Sequence, residues 1–475
     1  MRRGVAVGVV ISLAAAAMPA AAAANPAARV IKVHYTPQDK SDGRYQYVPF
    51  DVPAGTSRLA FSYRYDKANG ANAVDIGLFE PGPLDLGSPA FRGWSGGDRE
   101  GATVGESEAT PGYWPGPLPA GQWRFILGLY KVAETGVDVE LTIETTGGSR
   151  APVPAVLLPP RPAEPLRRGA RWYSGGLHLH TVHSDGTLTV REISARAREA
   201  GLDFIAITDH NNTTHQTEAV PEDGVLRIVG EEVTTPGGHA SVWGIGGIRD
   251  YVDFRVLPGD PRIADLVRAA TARGALFSIN HPSASCAGCG WEHAVPEGVT
   301  GIEIVNGNHG EMAKAIALWD DLLKQGRHIV GVGSSDWHRG PRTIDVASAR
   351  VWATELSTRA ILDGIRAGRV VVMADGRTPP PLMVAKAGRR RAGVGETLAV
   401  GAGTTVRIDV TLPMGLLGGR VDLIADGAVV ATAPAKSRVR FERPAGTDHY
   451  LRIHVFAADG APRAVTNPVF LERPR

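Results

Sequence analysis

From about residue 29 to 150, apolar and polar residues alternate in short runs such as Arg58–Tyr65, Arg124–Tyr130 and Val137–Thr145, separated by turns rich in Gly, Pro, Asp and Asn. A period of two puts every second side chain on one face, so these runs predict strands of an antiparallel β-sandwich. Between 170 and 378 the pattern changes. Apolar strand-like runs alternate there with amphipathic stretches of helical period at Val190–Ala200, Ile263–Arg273, Met312–Gln325 and Thr358–Ala367. Strand–helix alternation predicts a parallel barrel or a layered α/β sheet. From 379 to 475 the period of two returns, in Thr405–Thr411, Val421–Ala425 and Tyr450–Ala457, and predicts a second small sandwich of immunoglobulin type. Six prolines between Pro152 and Pro165 mark residues 151–169 as a stiff linker.

Residues 1–24 follow neither pattern. Arg2 and Arg3 precede an apolar run from Val5 to Ala17, and small residues from Ala20 to Ala24 offer cleavage positions. This predicts a signal peptide and export to the periplasm or beyond the cell. Without Arg2 and Arg3 the chain carries 49 basic and 49 acidic residues, and no basic run remains. That balance excludes nucleic acid as the main partner. No later segment is long and apolar enough to predict a membrane span. The only two cysteines, Cys286 and Cys289, lack a second pair that would complete a zinc site, so a local disulfide is expected in an oxidising compartment.

Histidine changes the picture most. Eleven of the 14 histidines fall between His178 and His338, and their positions repeat one arrangement. His178 and His180 close an apparent strand and share a face, and the turn at Gly186 can bring Asp185 back towards them. Asp209-His210 closes the run Phe204–Thr208. Glu231-Glu232 and then His239 follow Leu226–Gly230, Asn280-His281-Pro282 follows Leu276–Ile279, and Asp336-Trp337-His338 follows Ile329–Ser335. In parallel α/β folds the C-terminal strand ends gather side chains into one site. Imidazole mixed with carboxylate suits zinc, iron or manganese, and more than six donors exceed the needs of one ion. Two or three divalent ions are therefore expected, and bridged ions activate water for hydrolysis.

Other residues read as ordinary. His215, His293, His309 and His328 lack a strand-end position, and His183 stays open between ligand and structural side chain. Asn211-Asn212-Thr213 has the glycosylation pattern but adjoins the expected site. Trp172, Trp291 and Trp352 read as packing, and neither Ser184 nor Ser335 sits in a nucleophile elbow.

His-x-His with Ser-Asp-Gly, Ile-Thr-Asp-His, Gly-Glu-Glu, Asn-His-Pro and Ser-Asp-Trp-His, in this order, resemble the polymerase and histidinol phosphatase (PHP) family of metal-dependent phosphoesterases over about 200 residues from Gly175 to Gly376. The resemblance implies a distorted (β/α)7 barrel over 170–378, flanked by sandwiches at 29–150 and 379–475. It implies that His178, His180, Glu232 and Asp336 hold one ion, and that Asp185, His210 and His338 hold a second. Glu232 would bridge to a third with His281 and His239, while Asp209 would orient a ligand histidine.

The expected activity is hydrolysis of a small phosphate ester. Asp185, His210, Asp336 and His338 would act through the water that the ions activate, and Arg339 would contact phosphate. A carbamate, ester or amide substrate is the first alternative, since part of the family resembles a carbaryl-hydrolase branch and fold does not fix substrate. The second is a non-catalytic protein whose sandwiches bind glycan or a surface partner and whose metals are structural.

Overall fold

The computed structural model describes residues 28–147, 158–159, 165–286, 288–307, 311–401 and 403–473; residues 1–24, expected to be a signal peptide, and most of the proline-rich stretch lie outside them. Strands dominate, with five α-helices among the described residues. None of these helices is long and apolar enough to cross a membrane.

Two four-stranded antiparallel sheets face each other in the N-terminal part. One runs in the order Arg29–Tyr35, Val137–Gly147, Thr56–Tyr65, Gly101–Gly105, and the other Tyr45–Val52, Gly121–Lys131, Ala73–Phe79, Phe91–Gly96. Leu59, Phe61 and Tyr63 of the first sheet meet Val74, Ile76, Phe125 and Leu127 of the second in one buried core. Each such side chain contributes about 1.5–3 kcal/mol on leaving water. The second sheet is also covered on its outer face. Phe79, Phe91, Trp94 and Ile126 pack there into the core of the central region with Val233, Phe254 and Phe277. That double burial explains why Phe125-Ile126-Leu127 is a continuous apolar run rather than an alternating one.

In the central region Arg167–Gly176, Phe204–Ile207 and Leu226–Thr235 pair in parallel. Gly238–Trp243 then runs antiparallel to both Leu226–Thr235 and Leu276–Ile279, after which Gly301–Asn306 and Val330–Ser334 continue in parallel. Helices Val190–Ala200, Ile263–Ala272, Met312–Lys324 and Thr358–Arg366 form within a residue or so of the predicted limits. The first starts at a capping box between Thr189 and Glu192 and stops at Gly201, which takes a left-handed conformation. Four helices are too few for a full (β/α)7 barrel. Pro236-Gly237 joins two of the strands as a tight hairpin, where a parallel crossover would need a dozen or more residues, and among the described residues the connections from Phe204–Ile207 to Leu226–Thr235 and from Leu276–Ile279 to Gly301–Asn306 carry no α-helix.

The sheet does not end with the central region. Ala349–Leu356 and Val370–Met373 add antiparallel strands, and Val370–Met373 pairs with Pro462–Thr466 of the C-terminal part. The same sheet goes on through Tyr450–Phe456, Arg420–Ala425 and Ala428–Pro434, faced by a four-stranded sheet of Arg390–Gly393, Leu382–Ala387, Thr405–Thr411 and Arg438–Pro444. A buried ion pair fixes this junction. Arg452 donates from Nη2 to both oxygens of Asp320 at 2.8 and 2.7 Å, and the Tyr450 hydroxyl donates to Asp320 Oδ1 at 2.6 Å.

Candidate metal centre

His178 and His180 lie just past the strand Arg167–Gly176, and Leu179 between them points the other way, into a core with Ile205 and Trp337. The two histidines therefore share the face opposite that core. Asp209 shapes the loop that follows: Thr181 donates to it from both N–H and Oγ1 at 2.8 Å, and Ser184 Oγ at 2.7 Å. At Gly186 a Cβ would stand 2.4 Å from the His180 carbonyl oxygen, so only glycine lets this loop fold back and return Asp185 to the histidines. His281 and Asp336 both take positive φ, at 24° and 50°, a strained backbone often found where side chains are held for function.

All nine expected ligands converge. Glu232 is buried at the centre, and imidazole nitrogens approach its two oxygens from five residues. These are His178 at 3.1, His180 at 3.4, His210 at 2.9, His239 at 3.3 and His281 at 3.2 Å. Asp336 Oδ1 lies 3.3 Å from His178 and 3.2 Å from His180, and Asp185 Oδ1 lies 3.3 Å from His338. The donors fall into four overlapping groups able to hold an ion: His180, Asp185, His210 and His338; His178, His180 and Asp336; His178, Glu232 and His281; and His210, Glu232 and His239. The grouping differs from the expectation: Glu232 stands apart from the group of His178, His180 and Asp336, and His281 and His239 meet Glu232 in separate groups, His281 together with His178. His180 also joins the Asp185 group, and His210 also faces the Glu232–His239 pair.

Electrostatics fit such a site. Burial works against ionising Glu232 and Asp336, but the surrounding imidazoles outweigh it and hold both carboxyls well below their usual range. Burial likewise lowers every histidine. Glu232 and Asp185 overcome it at His210, which is pushed up to about 9, whereas His180 and His239 fall to about 4. The carboxylates raise His178, His281 and His338 as well, so a divalent cation bound here would displace protons from these imidazoles, and the mixed nitrogen and oxygen set suits zinc, iron or manganese.

Several contributors were not read from the sequence. Asn280 Nδ2 donates to Glu232 Oε1 at 2.8 Å. Glu303 accepts from the His281 N–H and from Asn306 Nδ2, each at 2.8 Å, and lies 3.4 Å from His178 Nδ1. Its only signal was a carboxylate inside the apolar run Ile302–Val305. Arg342 joins Arg339 on the wall of a pocket of about 410 Å³ that opens onto Glu232, His281, Asp336 and His338. Arg339 donates to the Asp185 carbonyl at 3.3 Å.

The remaining residues fall outside the donor groups. His183 is buried between Thr214 and Glu218, His215 faces Asp209, and His293 bonds Thr235 Oγ1. His328 stacks on Phe470, Trp172 packs edge-on against Trp352, and His309 lies outside the described residues. Cys286 and Cys289 form a disulfide, and Cys289 reaches the wall of the same pocket.

Residues 176–240 match the family profile of the PHP domain, so the resemblance read from the motifs holds across the first three clusters. Among curated proteins none matches the chain. Solved structures give partial likenesses. A two-domain protein of Bacteroides vulgatus containing a predicted PHP-like metal-dependent phosphoesterase is 18% identical over 68% of this chain and 100% of its own, with a TM-score of 0.37. A Bifidobacterium adolescentis protein, described as a candidate metal-dependent phosphoesterase, is 17% identical over 40% and 96%, with a TM-score of 0.29. An amidohydrolase of Chromobacterium violaceum, with bound sulfate and no metal, is 19% identical over 36% and 89%, with a TM-score of 0.25.

Proposed function

We propose that this chain is an exported metal-dependent hydrolase that cleaves small organic phosphate esters. The observation that carries the reading is the buried Glu232 carboxylate with five imidazoles within 3.4 Å, an excess of donors that no set of internal hydrogen bonds accounts for. The nine residues His178, His180, Asp185, His210, Glu232, His239, His281, Asp336 and His338 would hold two or three divalent ions. Bound there, such ions supply Lewis acidity and acidify water.

The chain's own groups do the rest. Arg339 and Arg342 line the pocket beside the donors and offer planar guanidinium groups that match phosphate oxygens. Glu303 and Asn280 fix the orientation of His178, His281 and Glu232. Export is part of the reading; the sequence of residues 1–24 and the Cys286–Cys289 bond both fit an oxidising compartment.

The test is metal content of the purified chain together with hydrolysis of phosphate mono- and diesters, carbamates and carboxyl esters before and after chelation. Two or three ions with chelator-sensitive phosphate release support the proposal. Release from carbamate or carboxyl esters alone would replace it with the carbaryl-hydrolase-like reading. Bound metal without turnover would turn it into a binding protein. Asp336→Ala or His210→Ala should abolish turnover while leaving a folded chain.

A further inference from the structure

The N-terminal sandwich reaches the metal centre itself. The Gly112 N–H donates to Thr214 Oγ1 at 3.0 Å, and Arg99 donates to the carbonyls of Val182 and Ser184 in the loop that carries Asp185. Between the two parts lies a cavity of about 300 Å³. The sandwich lines it with Asp75, Trp94 and Asp98, and it shares Asp185, His210, His239 and Arg339 with the pocket described above. Asp75 is half-buried and Asp98 exposed at the mouth. Neither carboxyl group makes a hydrogen bond or ion pair among the described residues. Gly96 and Gly97 keep the space beside Asp75 open: a Cβ at Gly97 would stand 3.1 Å from Asp75 Oδ1.

We infer that this cavity receives the alcohol half of the phosphate ester, and that this half is a hydroxyl-bearing ring of monosaccharide size. The inference rests on the phosphoesterase reading and names its substrate class. Two carboxyl groups without partners accept hydrogen bonds from neighbouring hydroxyls, and the Trp94 indole supplies an apolar wall for a ring face. Arg339 also lines the cavity and is a donor that a hydroxyl can use. A second anionic group on the leaving half would face both carboxyls in a confined space, so it is disfavoured. A volume of this size is at the small end for ligand cavities and holds one such ring.

The experiment compares glucose 1-phosphate with phenyl phosphate on wild type, Asp98→Ala and the near-isosteric Asp75→Asn, with binding of glucose 1-phosphate followed in parallel by calorimetry. Asp98 is exposed, so its variant folds. In both variants the ratio of kcat/KM for glucose 1-phosphate to that for phenyl phosphate should fall at least tenfold, mainly through KM, and binding should weaken to match. An unchanged ratio with unchanged binding would overturn the inference. A wild type that hydrolyses neither ester but binds glucose 1-phosphate more tightly than Asp98→Ala would refute the phosphoesterase reading and retain the subsite.

Discussion

Glu303 is the most informative position to perturb, because it touches two donors of the centre without being one. Its carboxylate accepts from the His281 N–H and from Asn306 Nδ2 at 2.8 Å, and it faces His178 Nδ1 at 3.4 Å. Glu303→Gln keeps the shape but puts an amide NH2 in place of one acceptor oxygen. Whichever way the amide turns, either two N–H donors lose their acceptor or His178 loses a negative partner. Hydrogen bonds to a charged group are worth about 1.5–3 kcal/mol. Partners of this kind typically change metal affinity by about 10- to 100-fold, roughly 1.4–2.7 kcal/mol, so the two ranges agree. Competition with a fluorescent chelator should therefore show zinc or manganese affinity falling by about 10- to 100-fold. Affinity within twofold of wild type would refute the positioning role.

Three further outcomes follow from the same contacts. Asp320→Ala leaves the buried Arg452 guanidinium and the Tyr450 hydroxyl without their acceptor, so urea denaturation should show a loss of about 3–5 kcal/mol; a loss under 1 kcal/mol would mean the junction does not depend on this pair. Burial and Arg452 lower His454 to about 3, below the ordinary value of 6.5 that it regains on unfolding. Between those values only the unfolded chain takes up the proton, so acidification below pH 6.5 should cost this group no more than about 1.4 kcal/mol per pH unit, and His454→Phe should flatten that limb of the stability curve; parallel curves would contradict it. Gly186→Ala places a Cβ 2.4 Å from the His180 carbonyl oxygen, so metal content should drop with little change in helix and strand content by circular dichroism; full metal occupancy would show that the loop can yield.

What the sequence revealed and what it hid divide along a physical line. His178 and His180, Asp209-His210, Asn280-His281 and Asp336-Trp337-His338 were legible because each sits at the end of its own apolar run, where local period and strand direction decide where a side chain points. The Cys286–Cys289 bond was legible for the same reason, being closed within four residues. Glu303 passed unnoticed because one carboxylate in a strand has no meaning until His178 and His281 are known to face it. The hairpin at Pro236-Gly237 was not read from the chain, because strand–helix alternation elsewhere pointed to a parallel barrel or layered sheet and the family resemblance to a seven-fold barrel. Arg452 and Asp320 lie 132 positions apart, and no pattern of short period links them. Asp75, Trp94 and Asp98 belong to the same class. The alternation of residues 29–150 identifies strands with two faces, but not that the outer face of one sheet docks on the metal centre. The continuous burial of Phe125, Ile126 and Leu127 was the one trace of that docking in the chain. A sheet buried on both faces in a terminal domain is committed to a neighbour, and here the neighbour is the loop that carries Asp185. The sandwich is therefore part of the wall of the site, and the chemistry of its edge bears on which esters the centre can accept.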